Sequence, residues 1–125
     1  ASVWGTGGRW FKSSRPDHYH MKKKFRIFYT TCGSAHDAKK IAKLLLKEKS
    51  ATCVNIIEKV KSFYNENGSI YESDEIILIV KSSLNKKNME KVLGLIHPYD
   101  IPIIVEISCN EPNEKYFEWF SRNSI

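Results

Sequence analysis

Residues 51–80 read ATCVNIIEKVKSFYNENGSIYESDEIILIV. Val54, Ile56 and Ile57 lie in a first apolar stretch and Ile76 to Val80 form a second, with Glu66-Asn67-Gly68-Ser69 between them. Asn-Gly between two such runs is the signature of a two-residue β-hairpin turn, because both residues tolerate positive φ. Each arm exceeds ten residues, against about five or six for an ordinary strand. The tips are too polar to enter a monomer's core, so a protruding hairpin that seeks a partner is expected.

Working outward, Phe25 to Thr31 is rich in aromatic and β-branched residues and meets a turn at Gly33, which predicts a first strand. Ser34 with Asp37 three residues on resembles a capping box. Ala38, Ile41, Ala42 and Leu45 then recur at helical spacing, giving a helix to about Lys49. Beyond the hairpin, Met89, Val92, Leu93 and Ile96 mark a second helix from about Asn85, closed by Pro98. Ile101 to Ser108 reads as a fourth strand, and Tyr116, Phe117, Trp119 and Phe120 as a final helix. The order βαββαβα is that of an α+β ferredoxin-like sandwich, two helices crossing over one face of a four-stranded sheet, plus a C-terminal helix.

The formal charge of +6 on 125 residues is unevenly placed. Residues 1–24 hold six basic side chains against Asp17, which leaves only +1 on residues 25–125. The basic character therefore belongs to a tail, and no specific nucleic-acid partner is expected of the domain. Residues 1–20 show neither helical nor strand periodicity and read as a disordered tail, either a remnant appended to the protein or a native extension; residues 21–125 are the folded domain. The longest apolar run, Ile76 to Val80, is far short of the ~20 residues a membrane helix needs. Cys32, Cys53 and Cys109 have no paired spacing, so reduced thiols and a cytoplasmic setting are expected.

Four stretches resemble the CutA (divalent-cation tolerance) family, in that family's order, across residues 25–120. Thr31-Cys32 resembles its Thr-Cys turn, Ala51-Thr52-Cys53-Val54-Asn55-Ile56 its Ala-Ala-Cys-Val-Asn-Ile block, Tyr64 to Glu75 its long hairpin, and His97-Pro98-Tyr99-Asp100-Ile101-Pro102 its His-Pro-Tyr-Glu-x-Pro signature. The sequence departs from that pattern at Gly33, where proline is common, at Asn65 and Ser69 near the turn, and at Ile103, where the family usually has Glu. The resemblance implies a homotrimer with no enzymatic activity, in which hairpins and sheet edges of neighbouring subunits pair. It also implies binding of Cu(II) or another divalent cation, with no metal required for folding, and a signalling or small-ligand-binding role.

Two metal-ligand candidates follow. His97, between a helix end and Pro98, has the type and loop-like setting of a Cu(II) or Zn(II) ligand, against the plainer reading of a structural histidine. Cys32 sits in a strand-to-helix turn, where a helix N-terminus would lower its pKa toward thiolate, against the plainer reading of a small buried residue. In relatives where a cysteine of this strand is linked to copper, the match falls nearer Thr30. Cys53 and Cys109 are assigned no chemistry. His18 and His20, with Asp17 nearby, form a His-x-His pair of the kind that binds nickel or copper adventitiously. Asn55, Glu75, Lys81 and Tyr99 are candidates for a cleft between subunits that takes a small anionic ligand, the plainer reading being an interface hydrogen-bond network.

The same element order serves RNA-binding RRM domains, but those carry stacking aromatics on the third strand, which here reads Ile-Ile-Leu-Ile-Val. An acylphosphatase-like hydrolase would need an anion-cradling loop with an arginine, and Thr31 to Ser34 contains none.

Overall fold

The computed structural model describes residues 23–124; the expectations placed on the tail, including His18 and His20, lie outside the described residues. The order is β1 (Arg26–Cys32), α1 (Ala35–Lys47), β2 (Cys53–Glu66), β3 (Ser69–Ser82), α2 (Lys86–Ile96), β4 (Val105–Ile107) and α3 (Glu114–Asn123). The strands form one antiparallel sheet in the order β2-β3-β1-β4, so each βαβ crossover skips a neighbour, as the split βαβ order requires.

Local chemistry sets the element ends. The Ser34 hydroxyl accepts the Asp37 N–H at 3.1 Å, satisfying one of the free donors of α1. That helix stops at Glu48, and Lys49 turns the chain away at φ 60°. Asn85 caps α2 in the same way, accepting from Asn88 N–H at 2.8 Å. The hairpin closes on Asn67 and Gly68 at φ 53° and 83°, the two positive values its turn demands.

Helices α1 and α2 cover one face of the sheet. Phe28, Ile41, Leu45, Leu78, Met89 and Leu93 are fully buried between the layers. Each such side chain contributes about 1.5–3 kcal/mol of transfer free energy. On the other face α3 covers one end only, where Phe117 and Phe120 pack with Phe25 and Ile27. Among the described residues nothing else covers that face.

The fourth strand is shorter than expected. Ile101 to Ser108 alternates like a strand, but only Val105–Ile107 pairs, and only with β1. Pro102 has no N–H to give a ladder, and residues 101–104 have no neighbour in the sheet. The alternation persists because Ile104 packs on the core while Ile101 and Ile103 point away, Ile101 being 91% exposed. An Arg26–Glu106 ion pair at 3.1 Å ties this short edge to β1.

Candidate functional site

The His-Pro-Tyr segment places a compact polar network at the end of α2. Pro98 cannot continue the helix, so His97 becomes its C-cap and donates its backbone N–H to Leu93 O at 2.8 Å. The side chain is buried. Its Nδ1 accepts the Tyr99 backbone N–H at 3.1 Å, which leaves Nε2 to carry the ring proton and donate it to Thr31 O at 2.7 Å. The imidazole thus ties the loop after α2 to the end of β1, with neither nitrogen left over.

Tyr99 extends the network. Its hydroxyl donates to one Glu75 carboxylate oxygen at 3.2 Å, and Ser62 donates to the other at 2.7 Å. Burial and the neighbouring Glu75 carboxylate push the Tyr99 phenol up to about 12, so it stays protonated as the donor. A Cβ built on Gly33 would lie 3.3 Å from the Tyr99 hydroxyl, so the glycine at this position leaves room for the ring.

A β-bulge positions Glu75. Ile57 pairs with Ile77 and Val60 with Glu75, so two β2 residues, Glu58 and Lys59, face one on β3. Lys59 absorbs the kink at φ 63°. Ser62 then stands diagonally from Glu75 on the same face, in reach of its carboxylate. Next to the bulge a cleft of about 380 Å³ opens between the start of α1 and the hairpin, lined by Gly33, Ser34, Lys59, Lys61, Asp74 and Glu75 among others. Asp74 holds Lys61 at 2.6 Å and raises its pKa.

The candidate residues do not gather at one point. Glu75 and Tyr99 meet in the network, but Lys81 is six residues further along β3, roughly 20 Å away at strand rise. Lys81 pairs with Cys53 and Ile27, its ammonium 5.9 Å from the Tyr116 ring centroid, and Asn55 is exposed opposite Ile79. Within one chain there are two polar ends rather than a four-residue pocket.

The two metal-ligand candidates behave differently from expectation. Burial raises the Cys32 pKa, outweighing the hydrogen bond its thiol gives Ser34 O at 3.5 Å; Asp37 and Glu75 raise it further. The expected drop toward thiolate is therefore corrected: no solvent reaches the sulfur, and the helix end does not compensate. For His97 to bind a metal it would have to give up Thr31 or Tyr99. Among the described residues no three His, Cys, Asp or Glu side chains are grouped to hold an ion, so those residues alone do not make up a copper site. Thr30, the position nearer the copper-linked cysteine of relatives, is fully buried on the core side with its hydroxyl unpaired.

Ser62 and the Thr31 carbonyl were not expected in this site. Thr31 lies 66 residues from His97, and Ser62 depends on the bulge register; neither leaves a local motif.

The chain is similar to known proteins over this whole unit. A family profile described as CutA1 divalent ion tolerance protein matches residues 26–123. The divalent-cation tolerance protein CutA of Thermus thermophilus is 38% identical over 100 residues, covering 78% of this chain and 96% of the relative. That of Pyrococcus horikoshii is 38% identical over 95 residues, 74% and 91% of the two chains. The crystal structure of divalent ion tolerance protein CutA1 from Ehrlichia chaffeensis superposes with a TM-score of 0.77 at 29% identity, over 82% of this chain and 97% of that one. The four matching stretches, the sheet order and the His97–Tyr99–Glu75 network thus sit inside a unit aligned nearly end to end with these relatives, and the chain belongs to the CutA1 divalent ion tolerance family.

Proposed function

We propose that the chain serves divalent-cation tolerance as a homotrimeric, non-enzymatic binding module whose small-ligand cleft is completed between subunits. The observation that carries this reading is the open sheet face. Ile57, Ile103, Val105 and Ile107 are each at least 40% exposed there, and the same side of the hairpin adds Tyr64 and Tyr71, while Phe63 and Ile70 are exposed on its other side. Apolar surface this continuous is unusual on a monomer and is stabilised by association. Ile103, which replaces the polar residue usual in the family, extends that band. A neighbouring copy on the face would close the cleft beside Glu75 and bring a second chain toward Asn55 and Lys81.

A binding role fits the site chemistry better than catalysis. The Cys32 thiol is buried with its pKa raised, the exposed Tyr99 keeps its phenol protonated beside Glu75, and both nitrogens of His97 are engaged. The RNA-binding alternative is not favoured, since the open face of β3 presents Ile77 and Ile79 where RRM domains carry aromatics. Among the described residues no helix is long and apolar enough to cross a membrane, and the three cysteines are free, which fits a reducing compartment such as the cytoplasm.

The first test is mass in solution by sedimentation equilibrium, expected at three times the 14.5 kDa chain. A monomer at micromolar concentration would overturn the reading. The second is Cu(II) affinity by chelator competition, with His18 and His20 replaced by alanine to silence the tail. His97→Ala is expected to leave that affinity unchanged; a loss would return His97 to the ligand set.

A further inference from the structure

The helix layer, on the side of the molecule away from the open face, has a charge character of its own. Residues 34–49 carry five lysines against Asp37 and Glu48, and residues 85–97 three lysines against Glu90. The layer is thus +5, while the rest of residues 25–125 is −4. Among the described residues, only Lys86 of these eight lysines is in an ion pair, with Glu90 at 3.7 Å. The near-neutral total of the domain conceals this separation.

Between the helices runs a groove of about 360 Å³ lined by Leu44, Glu48, Ser50, Val92, Leu95 and Ile96. Leu95 is 82% exposed at its rim. Lys40 and Lys47 stand one turn to either side of Leu44, and Lys91 one turn before Leu95, all three exposed. A merely solvated helix surface accounts for the lysines. It does not account for a bare leucine at the mouth of an apolar groove with cations around it, which is the arrangement of an interface centre and its polar rim.

We propose that this groove docks an acidic amphipathic helix of a protein partner. Its apolar residues enter between Leu44 and Leu95, and its carboxylates meet Lys40, Lys47 and Lys91. Glu48 inside the groove repels a carboxylate at that point and so restricts the register. A helix suits the trough between two helices, whereas a membrane surface would call for a broad apolar face beneath the lysines, and here Leu95 protrudes beside a concavity, with Leu46 exposed outside its lining. The proposal does not depend on the trimer reading, because the helix layer lies on the other side of the sheet.

The test is fluorescence anisotropy of the full chain with a labelled synthetic peptide about five turns long, leucines on one face and glutamates on the other. A scrambled peptide of equal composition is the control. Expected is binding that the scrambled peptide lacks and that weakens as salt rises. Leu95→Asp, and separately Lys40→Glu with Lys91→Glu, should each weaken it about tenfold. Because all three side chains are exposed, these variants should keep the wild-type circular dichroism melt. No binding, equal binding of the scrambled peptide, or indifference to both variants would overturn the proposal. So would binding to vesicles containing phosphatidylserine with none to the peptide, which would assign the basic layer to a membrane.

Discussion

The two faces of this sheet are made of the same residue types and meet different fates. On β3, Ile76, Leu78 and Val80 point at the helices and are buried, while Ile77 and Ile79 between them point the other way and stay partly exposed. An antiparallel sheet finished within one chain alternates apolar with polar residues; apolar residues on both faces announce a strand meant to be covered twice. The chain supplies the first cover with α1 and α2. Among the described residues only part of the second is supplied, by α3 over Phe25 and Ile27. On the trimer reading proposed above, hydrophobicity in such a strand records the assembled state and not the monomer's core alone.

The contrast can be broken most forcefully from the covered side. Phe28→Ala, at 0% exposure, should cost about 3–5 kcal/mol in urea unfolding. Ile79→Ala, on the opposite face, should cost far less in any monomeric state and act chiefly on association. Equal losses in a monomer would mean that the open face is packed in some other way. Next in size, Val105→Lys together with Ile107→Lys should reduce the solution mass to one chain and leave the far-ultraviolet circular dichroism spectrum intact. A persistent oligomer would place the contact elsewhere.

The polar network should respond more mildly. His97→Ala removes one buried and one part-buried hydrogen bond and should cost about 2–3 kcal/mol, read as a lower urea midpoint. Tyr99→Phe is expected to cost on the order of 1 kcal/mol. Its signature is a pH dependence. The phenol's folded pKa is about 12 against an ordinary 10.0, so the folded state holds that proton more tightly. Its contribution to stability is complete below pH 10 and is lost as pH rises toward 12. The unfolding free energy across that window should therefore fall less steeply in Tyr99→Phe than in the wild type, with some slope remaining because burial also raises Tyr116 to about 12.

Much of the fold was legible because its signals are local. Alternation, the Ser34 and Asn85 caps and the Asn67-Gly68 turn each act within a few residues, and the element order followed from them. The length of β4 was not, since alternation at Ile101–Ile104 reports which way side chains point and not whether a neighbouring strand exists. At the site, His97 and Tyr99 stood out through Pro98, but their roles did not. The direction of the Cys32 shift turned on burial by distant residues, and the saturation of His97 on a carbonyl across the fold. Lys40, Lys47 and Lys91 were hidden by a net charge that cancels over the domain.

The single extra residue in β2 also governs parity. Upstream of the bulge odd-numbered β2 residues share the open face; downstream even-numbered ones do, which is how Tyr64 comes to stack on Tyr71 with ring centroids 5.8 Å apart. Deleting Lys59 would remove the bulge and leave the pairs beyond it, Val60 with Glu75 and Tyr64 with Tyr71, as they are, whereas regular pairing of the full-length strand would send Phe63 where Tyr64 now stands. In a strand this long, one unpaired amino acid decides which side of the distal hairpin each residue takes.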